Sequence, residues 1–143
     1  MTQIEQSIVI NQSLEKVFAY VTDPRNNPKW QPGIVASRVI PDGPTRLGTQ
    51  STDVRNVLGR KLELTSEVTE FQPNKMIRLK SISGPIPFKA TITFERVDGG
   101  TKVNFQAEAQ PTGFFKMAEG MFSSTWRKEF EASFNKLKEL LEA

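Results

Sequence analysis

Four polar side chains near the middle of the chain carry groups that could do chemistry: the carboxylate of Asp53, the guanidinium of Arg55 and the hydroxyls of Ser66 and Ser81. A carboxylate can act as a general base, and a guanidinium can stabilise an oxyanion or orient a ligand oxygen. The two charges could equally form an ion pair that serves only the structure, because buried charges are normally paired. Any functional role requires that these side chains face the same side of a sheet.

The turn at Gly59-Arg60 decides which way the two charges point. A type II′ turn there places Arg55 opposite Leu64 and Asp53 opposite Ser66, with all four side chains on the inner face. A three-residue turn would shift the pairing by one residue. Because such a shift exchanges the two faces of the strand, Arg55 would then point outward. We prefer the type II′ register because it matches two apolar partners.

The next two hairpins have clearer turn signals. A turn centred on Pro73-Asn74 pairs Ser66 with Ser81 and extends the polar row across three strands. A type I′ turn at Asp98-Gly99 pairs Ile92 with Phe105. The inner face of this last hairpin is wholly apolar and its outer face polar, so the register is self-consistent.

The N-terminal segment predicts a strand followed by two short helices. Ile8 and Ile10 lie on one face of a half-buried strand. Ser13 is a suitable N-cap for an amphipathic helix, and Asp23-Pro24 is a typical start for a second helix. Trp30 follows at the end of this second helix.

The C-terminal segment predicts one helix from Phe114 to Glu142, because no proline interrupts it. Its bulky apolar stripe needs a concave surface, which only a curved sheet can offer. We expect the C-terminal half of the stripe to form ordinary core with the first helix. The N-terminal half is compatible either with core or with the wall of a cavity; its members are Phe115, Ala118, Phe122 and Trp126, with Met117, Gly120 and Met121 alongside.

The composition excludes several classes of protein. The 143 residues suit a single domain, 1–143, and contain no Cys and no His, so a disulfide framework, a thiol nucleophile and a transition-metal site are not expected. No cofactor is expected either. Nineteen cationic and 16 anionic residues are interspersed, which argues against a nucleic-acid surface. There is no apolar run long enough for a transmembrane segment, and a cytoplasmic monomer or homodimer is expected.

These features together resemble the START-like helix-grip superfamily, also called SRPBCC, and within it the polyketide cyclase/dehydrase-like branch. The resemblance covers nearly the whole chain. It implies an α+β fold in which a seven-stranded curved antiparallel sheet wraps around a long C-terminal helix, with two short helices after the first strand. The matching segments are Ile8 to Ile10, Ser13, Val17-Phe18, Asp23-Pro24, Trp30 to Gly33, Leu47-Gly48, Val68 to Pro73, Gly84-Pro85, Phe88 and Gly100 to Val103.

The resemblance also implies a hydrophobic cavity between the sheet and the long helix, with its mouth near Trp30 and Ile86. Cyclases of the superfamily use polar groups in this cavity, and here Asp53 and Arg55 are the only candidates for catalytic residues. The expected ligand-binding residues are Trp30, Arg55, Leu64, Ser66, Leu79, Ser81, Ile86, Phe88, Ile92, Phe105, Phe115, Ala118, Met121, Phe122 and Trp126.

Three functions are compatible with this sequence. The first is binding of a small hydrophobic, aromatic or lipid-like molecule, for which an apolar lining with a few polar groups is sufficient. The second is a cyclase or dehydratase that uses Asp53 and Arg55 for enolisation. The third is a protein-partner module resembling a co-chaperone. We favour binding over catalysis because no activated group is evident, and we expect Arg55 to prefer ligands with a carboxylate, phenolate or ketone oxygen.

Overall fold

The computed structural model describes all residues 1–143. Seven strands form one curved antiparallel sheet, short helices follow the first strand, and a long helix ends the chain, which is the predicted helix-grip fold. The strands are β1 (Thr2–Ile10), β2 (Ile34–Ile40), β3 (Gln50–Val57), β4 (Arg60–Gln72), β5 (Met76–Ser83), β6 (Phe88–Val97) and β7 (Gly100–Ala109). The helices are α1 (Leu14–Thr22), α2 (Asn27–Trp30), α3 (Phe114–Met117) and α4 (Glu119–Glu142), and a 3-10 turn at Pro24–Asn26 precedes α2.

The strand order across the sheet is β1-β7-β6-β5-β4-β3-β2. From β2 to β7, each strand pairs with the next strand in the sequence. Only β1 departs from this rule, because it pairs with β7 at the edge opposite β2. The two short helices therefore connect the two edges of the sheet.

The Asp98-Gly99 and Pro73-Asn74 registers are confirmed. Ile92 lies opposite Phe105 in the first, and Ser66 lies opposite Ser81 in the second. The second hairpin reaches its register in an unexpected way. Gln72 pairs with Met76 across a three-residue turn, and a bulge in β4 restores the predicted alignment.

The predicted Gly59-Arg60 register is wrong. The turn residues are Leu58 and Gly59, both with positive φ (49° and 80°), as in a type I′ turn. Asp53 therefore lies opposite Leu64, and Ser66 lies opposite Ser51 instead. The observed pairing differs from the predicted pairing by two residues. Because side chains alternate between the faces with a period of two, each side chain keeps its predicted face, and Arg55 still points inward.

The predicted C-terminal helix is interrupted at one residue. Ala118 has φ −102° and ψ 26°, outside the helical region, and separates α3 from α4. Gly120 follows closely, and glycine weakens a helix because it loses the most backbone entropy on folding. None of the helices combines the length and the apolar character needed to cross a membrane.

The core lies between the concave face of the sheet and α4. As predicted, the C-terminal half of the apolar stripe and α1 belong to one core cluster. Phe105 on β7 also stacks on Phe130 of α4, with ring centroids 4.7 Å apart. Each fully buried side chain of this kind contributes roughly 1.5–3 kcal/mol. The shared cluster includes Leu14, Phe18, Val21, Phe130, Phe134 and Leu137. A second, smaller cluster forms where α3 meets the sheet, from Val57, Ile86, Ala109, Phe115 and Phe122.

Candidate functional site

A cavity of about 130 Å³ lies between the sheet, α2 and α4. Its size is close to that of an engineered cavity of about 150 Å³ that holds a benzene molecule. Seventeen of its 29 lining residues are hydrophobic, so the wall is mainly apolar. The cavity therefore has room for a ring-sized group in largely apolar surroundings.

Most of the residues expected to bind a ligand lie on the wall of this cavity. They come from five strands, from α2 and α4, and from the loop before β6. They are Trp30, Arg55, Leu64, Ser66, Leu79, Ile86, Phe88, Ile92, Phe105, Phe122 and Trp126, and Asp53 lies on the wall with them.

Four of the expected residues lie elsewhere, which corrects their predicted placement. The hydroxyl of Ser81 accepts a hydrogen bond from the backbone N–H of Phe88 at 2.9 Å and so closes the loop between β5 and β6. Phe115 is buried in the second cluster rather than in the cavity wall. The interruption at Ala118 ends the regular stripe, and Met121 is 65% exposed.

Trp30 and Ile86 do not form the open mouth that the resemblance implies, because they are 2% and 4% exposed and are part of the wall. The indole of Trp30 packs near Phe134, with ring centroids 6.0 Å apart. Its Nε1 has no hydrogen-bond partner, and it is the only buried side-chain polar atom in the chain without one. An unpaired buried donor costs about 1–3 kcal/mol, so a ligand oxygen or a water molecule in the cavity would stabilise it.

The polar part of the wall is built around Arg55. Its Nη2 donates to Oε1 of Gln31 at 2.8 Å, and its Nη1 lies 3.8 Å from Oε2 of Glu129. The guanidinium also lies over the ring of Phe130, 5.9 Å from the ring centroid. Contacts with α4 and with the residue that follows α2 therefore hold Arg55 in place.

Two carboxylates flank this guanidinium. Asp53, two residues away on β3, accepts a hydrogen bond from the hydroxyl of Ser37 at 2.5 Å. Burial raises the pKa of Asp53, although Ser37 and Arg55 oppose this effect, and burial likewise raises the pKa of Glu129 against the attraction of Arg55. Burial lowers the pKa of Arg55, against the attraction of both carboxylates. Arg55 is thus one cation attracted by two anions, and its ion pair is with Glu129 rather than with Asp53 as predicted.

Sequence reasoning missed Glu129. The available signal was helical spacing, because Glu129 follows Phe122 by seven residues and Trp126 by three, which places the three side chains on one helix face. Its carboxylate also approaches the backbone closely. A Cβ added at Gly33 would lie 3.0 Å from Oε2 of Glu129, so glycine leaves space for the carboxylate there.

We expect Glu129→Gln to stabilise the folded protein at pH 7. Burial raises the pKa of Glu129 in the folded protein, so protonation of this carboxylate favours the folded state. This contribution to the free energy of unfolding is complete below the pKa of an ordinary glutamate, about 4.3. It is lost as the pH rises through the folded-state pKa. Urea unfolding between pH 4 and pH 8 should therefore show an advantage for the variant at neutral pH that shrinks on acidification. Glu131→Gln, an exposed change on the same helix, should show no such trend; equal pH profiles for both variants would contradict the prediction.

Comparison with known proteins agrees with the fold. The family model described as polyketide cyclase / dehydrase and lipid transport matches residues 1–142. Among solved structures, TTHA0849 from Thermus thermophilus is similar with a TM-score of 0.82 and 18% identity, covering 96% of this chain and 94% of that one. A START superfamily protein from Mycobacterium smegmatis has a TM-score of 0.75 and 14% identity, covering 99% and 98%.

A third similar structure is Ara h 8.0201, with a TM-score of 0.71 and 14% identity over 97% of this chain and 96% of that one. At these identities the structural likeness concerns the fold alone. No curated protein sequence matches this chain.

Proposed function

Because this chain belongs to the polyketide cyclase / dehydrase and lipid transport family, as the resemblance predicted, we propose that it binds one small, largely hydrophobic molecule between the sheet and α4. The observation that carries this proposal is the cavity itself, whose apolar wall is interrupted by a few convergent polar groups. Ligand sites commonly have this composition, because the apolar wall supplies affinity and the polar groups fix orientation.

The volume of the cavity favours a compact ligand over a long acyl chain. About 130 Å³ accommodates one ring with a short substituent, provided that the wall stays as it is. The unpartnered Nε1 of Trp30 adds a hydrogen-bond donor at the wall. We therefore infer an aromatic or alicyclic molecule that carries a polar group.

The two tryptophans provide a direct test. Trp30 and Trp126 are the only tryptophans, and both lie on the wall, so their indole N–H signals in a ¹H–¹⁵N NMR spectrum report on the cavity. We expect titration with 2-phenylethanol, a neutral single-ring probe, to shift both signals in a saturable manner. The proposal fails if neither signal moves in a folded sample at millimolar probe concentration.

A second candidate function is enolisation of a ketone. It is favoured by the raised pKa of Asp53, which lies on the cavity wall beside Arg55, an arrangement of base and anion stabiliser. Deuterium exchange at the α-carbon of phenylacetone in D₂O would detect this activity. If the wild-type protein accelerates this exchange and the Asp53→Asn variant does not, the result would support catalysis. If exchange with the wild-type protein is no faster than in buffer alone, binding remains the proposed function.

We do not adopt the protein-partner alternative. The apolar side chains exposed at the start of the C-terminal helices are those of Phe114, Met117 and Met121. These three neighbouring side chains are a small share of the roughly 20–30 residues that each side of a stable protein interface normally contributes.

A further inference from the structure

The charges on the cavity wall do not balance. Among the lining residues, only Asp53, Arg55 and Glu129 are charged, so the wall has two anions and one cation. The rest of the lining is neutral, so no other charged side chain compensates the difference within the cavity. In surroundings with a low dielectric constant, one uncompensated charge strongly affects which ligands can enter.

The cation has several partners, whereas one of the anions has only the cation. Arg55 donates to Gln31, lies 3.8 Å from Glu129 and covers the ring of Phe130. Asp53 accepts a hydrogen bond from Ser37. In contrast, the carboxylate of Glu129 accepts no hydrogen bond from any residue, and its closest cationic atom is the Arg55 Nη1. The side chain of Glu129, which lines the cavity and is 29% exposed, thus has acceptor sites that no protein donor fills.

From this arrangement we propose that the cavity selects molecules carrying a protonated nitrogen, such as a primary amine on a ring-sized apolar body, with Glu129 as the acceptor. The proposal rests on the proposed binding function and specifies the chemistry of its ligand. An ammonium group would compensate the excess negative charge and donate charge-assisted hydrogen bonds to the carboxylate. The ring of Trp126, one helical turn before Glu129, adds an aromatic surface suited to a cation.

The same charges disfavour an anionic ligand. A carboxylate would bring a third anion to a wall with one cation, and it would compete with Glu129 and Gln31 for the guanidinium of Arg55. The sequence-based expectation that Arg55 prefers carboxylate or phenolate ligands rested on a single anion, Asp53. On this proposal, the presence of Glu129 favours a cationic ligand instead.

Three probes with similar bodies and different charges test the proposal: 2-phenylethylamine, 2-phenylethanol and 3-phenylpropionate, titrated at pH 7 and 0.15 M salt while the indole signals of Trp30 and Trp126 are followed. We expect the amine to bind on the order of tenfold more tightly than the alcohol, because it gains one charge-assisted hydrogen bond. We expect the carboxylate to bind at least tenfold more weakly than the alcohol, because it cannot make that bond. Glu129→Gln should abolish the advantage of the amine over the alcohol, and well-dispersed indole signals of the ligand-free variant check that it is folded.

Glu131→Gln is the matched control, because it makes the same change in net charge on an exposed part of α4 and should keep the wild-type order. If the alcohol binds and the amine has no advantage, or if Glu129→Gln keeps that advantage, the proposal is wrong while the binding function stands. If none of the three probes shifts an indole signal, the binding function falls as well.

Discussion

Replacing Ala90 with phenylalanine should abolish binding of 2-phenylethanol, with an expected loss of affinity of at least thirtyfold. Ala90 on β6 lies opposite Ala107 on β7, and both small side chains line the cavity. A phenyl ring at this position occupies the space available to the ligand. The added side chain enters a cavity, so we expect a smaller penalty than the roughly 1–3 kcal/mol of overpacking a filled core.

The control is Ala132→Phe, the same substitution at an exposed position of α4. It should leave the affinity unchanged, measured by the indole signals in parallel with the wild type. Full affinity in a folded Ala90→Phe protein would show that the probe binds elsewhere, and the cavity would no longer support the proposed function.

Arg55→Met should destabilise the protein on the order of 3 kcal/mol at pH 7, because it leaves Asp53 and Glu129 partly buried without their shared cation. Loss of the cation raises the pKa of both carboxyl groups further. A raised folded-state pKa gives stability that is present below the ordinary pKa and is lost as the pH rises, so the defect should be large at pH 7 and should shrink towards pH 4.

Urea unfolding at several pH values measures this effect. The double variant Arg55→Met with Glu129→Gln should regain part of the stability at pH 7, since it contains one buried carboxylate fewer. Arg38→Met, on an exposed part of β2, should change little. A loss of the same size at pH 4 and pH 7 would assign the effect to packing rather than to charge.

The registers of the sheet show how far local sequence determines this fold. Asp-Gly adopts the type I′ turn readily, so the β6–β7 hairpin was predictable residue by residue. The β3–β4 turn was not, because it requires Leu58 at a φ of 49°, a conformation that leucine seldom adopts. Alternation of the side chains nevertheless predicted the inner face correctly, since registers that differ by two residues present the same faces.

The candidate site was less predictable for a different reason. Glu129 lies on a helix face that aromatic residues dominate, and a charged residue within an apolar stripe is normally assigned to solvent. Only the position of Arg55 across the cavity explains why a carboxylate is tolerated there. Similarly, Gly120 indicated a weak point in the helix, but nothing in the local sequence indicated that the interruption lies at Ala118.

The pairing of the first strand with the last has a consequence for biosynthesis. Thr2 of β1 lies opposite Ala109 of β7, so β1 has no partner until about 100 further residues have been made. At roughly 5–20 residues per second, translation takes on the order of 5–20 seconds to supply that partner. During this interval the hairpins from β2 to β6 can form one after another. β1 and the apolar side of α1 stay uncovered until β7 and α4 have been synthesised. In the nascent chain, β1 and α1 are therefore the elements exposed longest to chaperones and to aggregation.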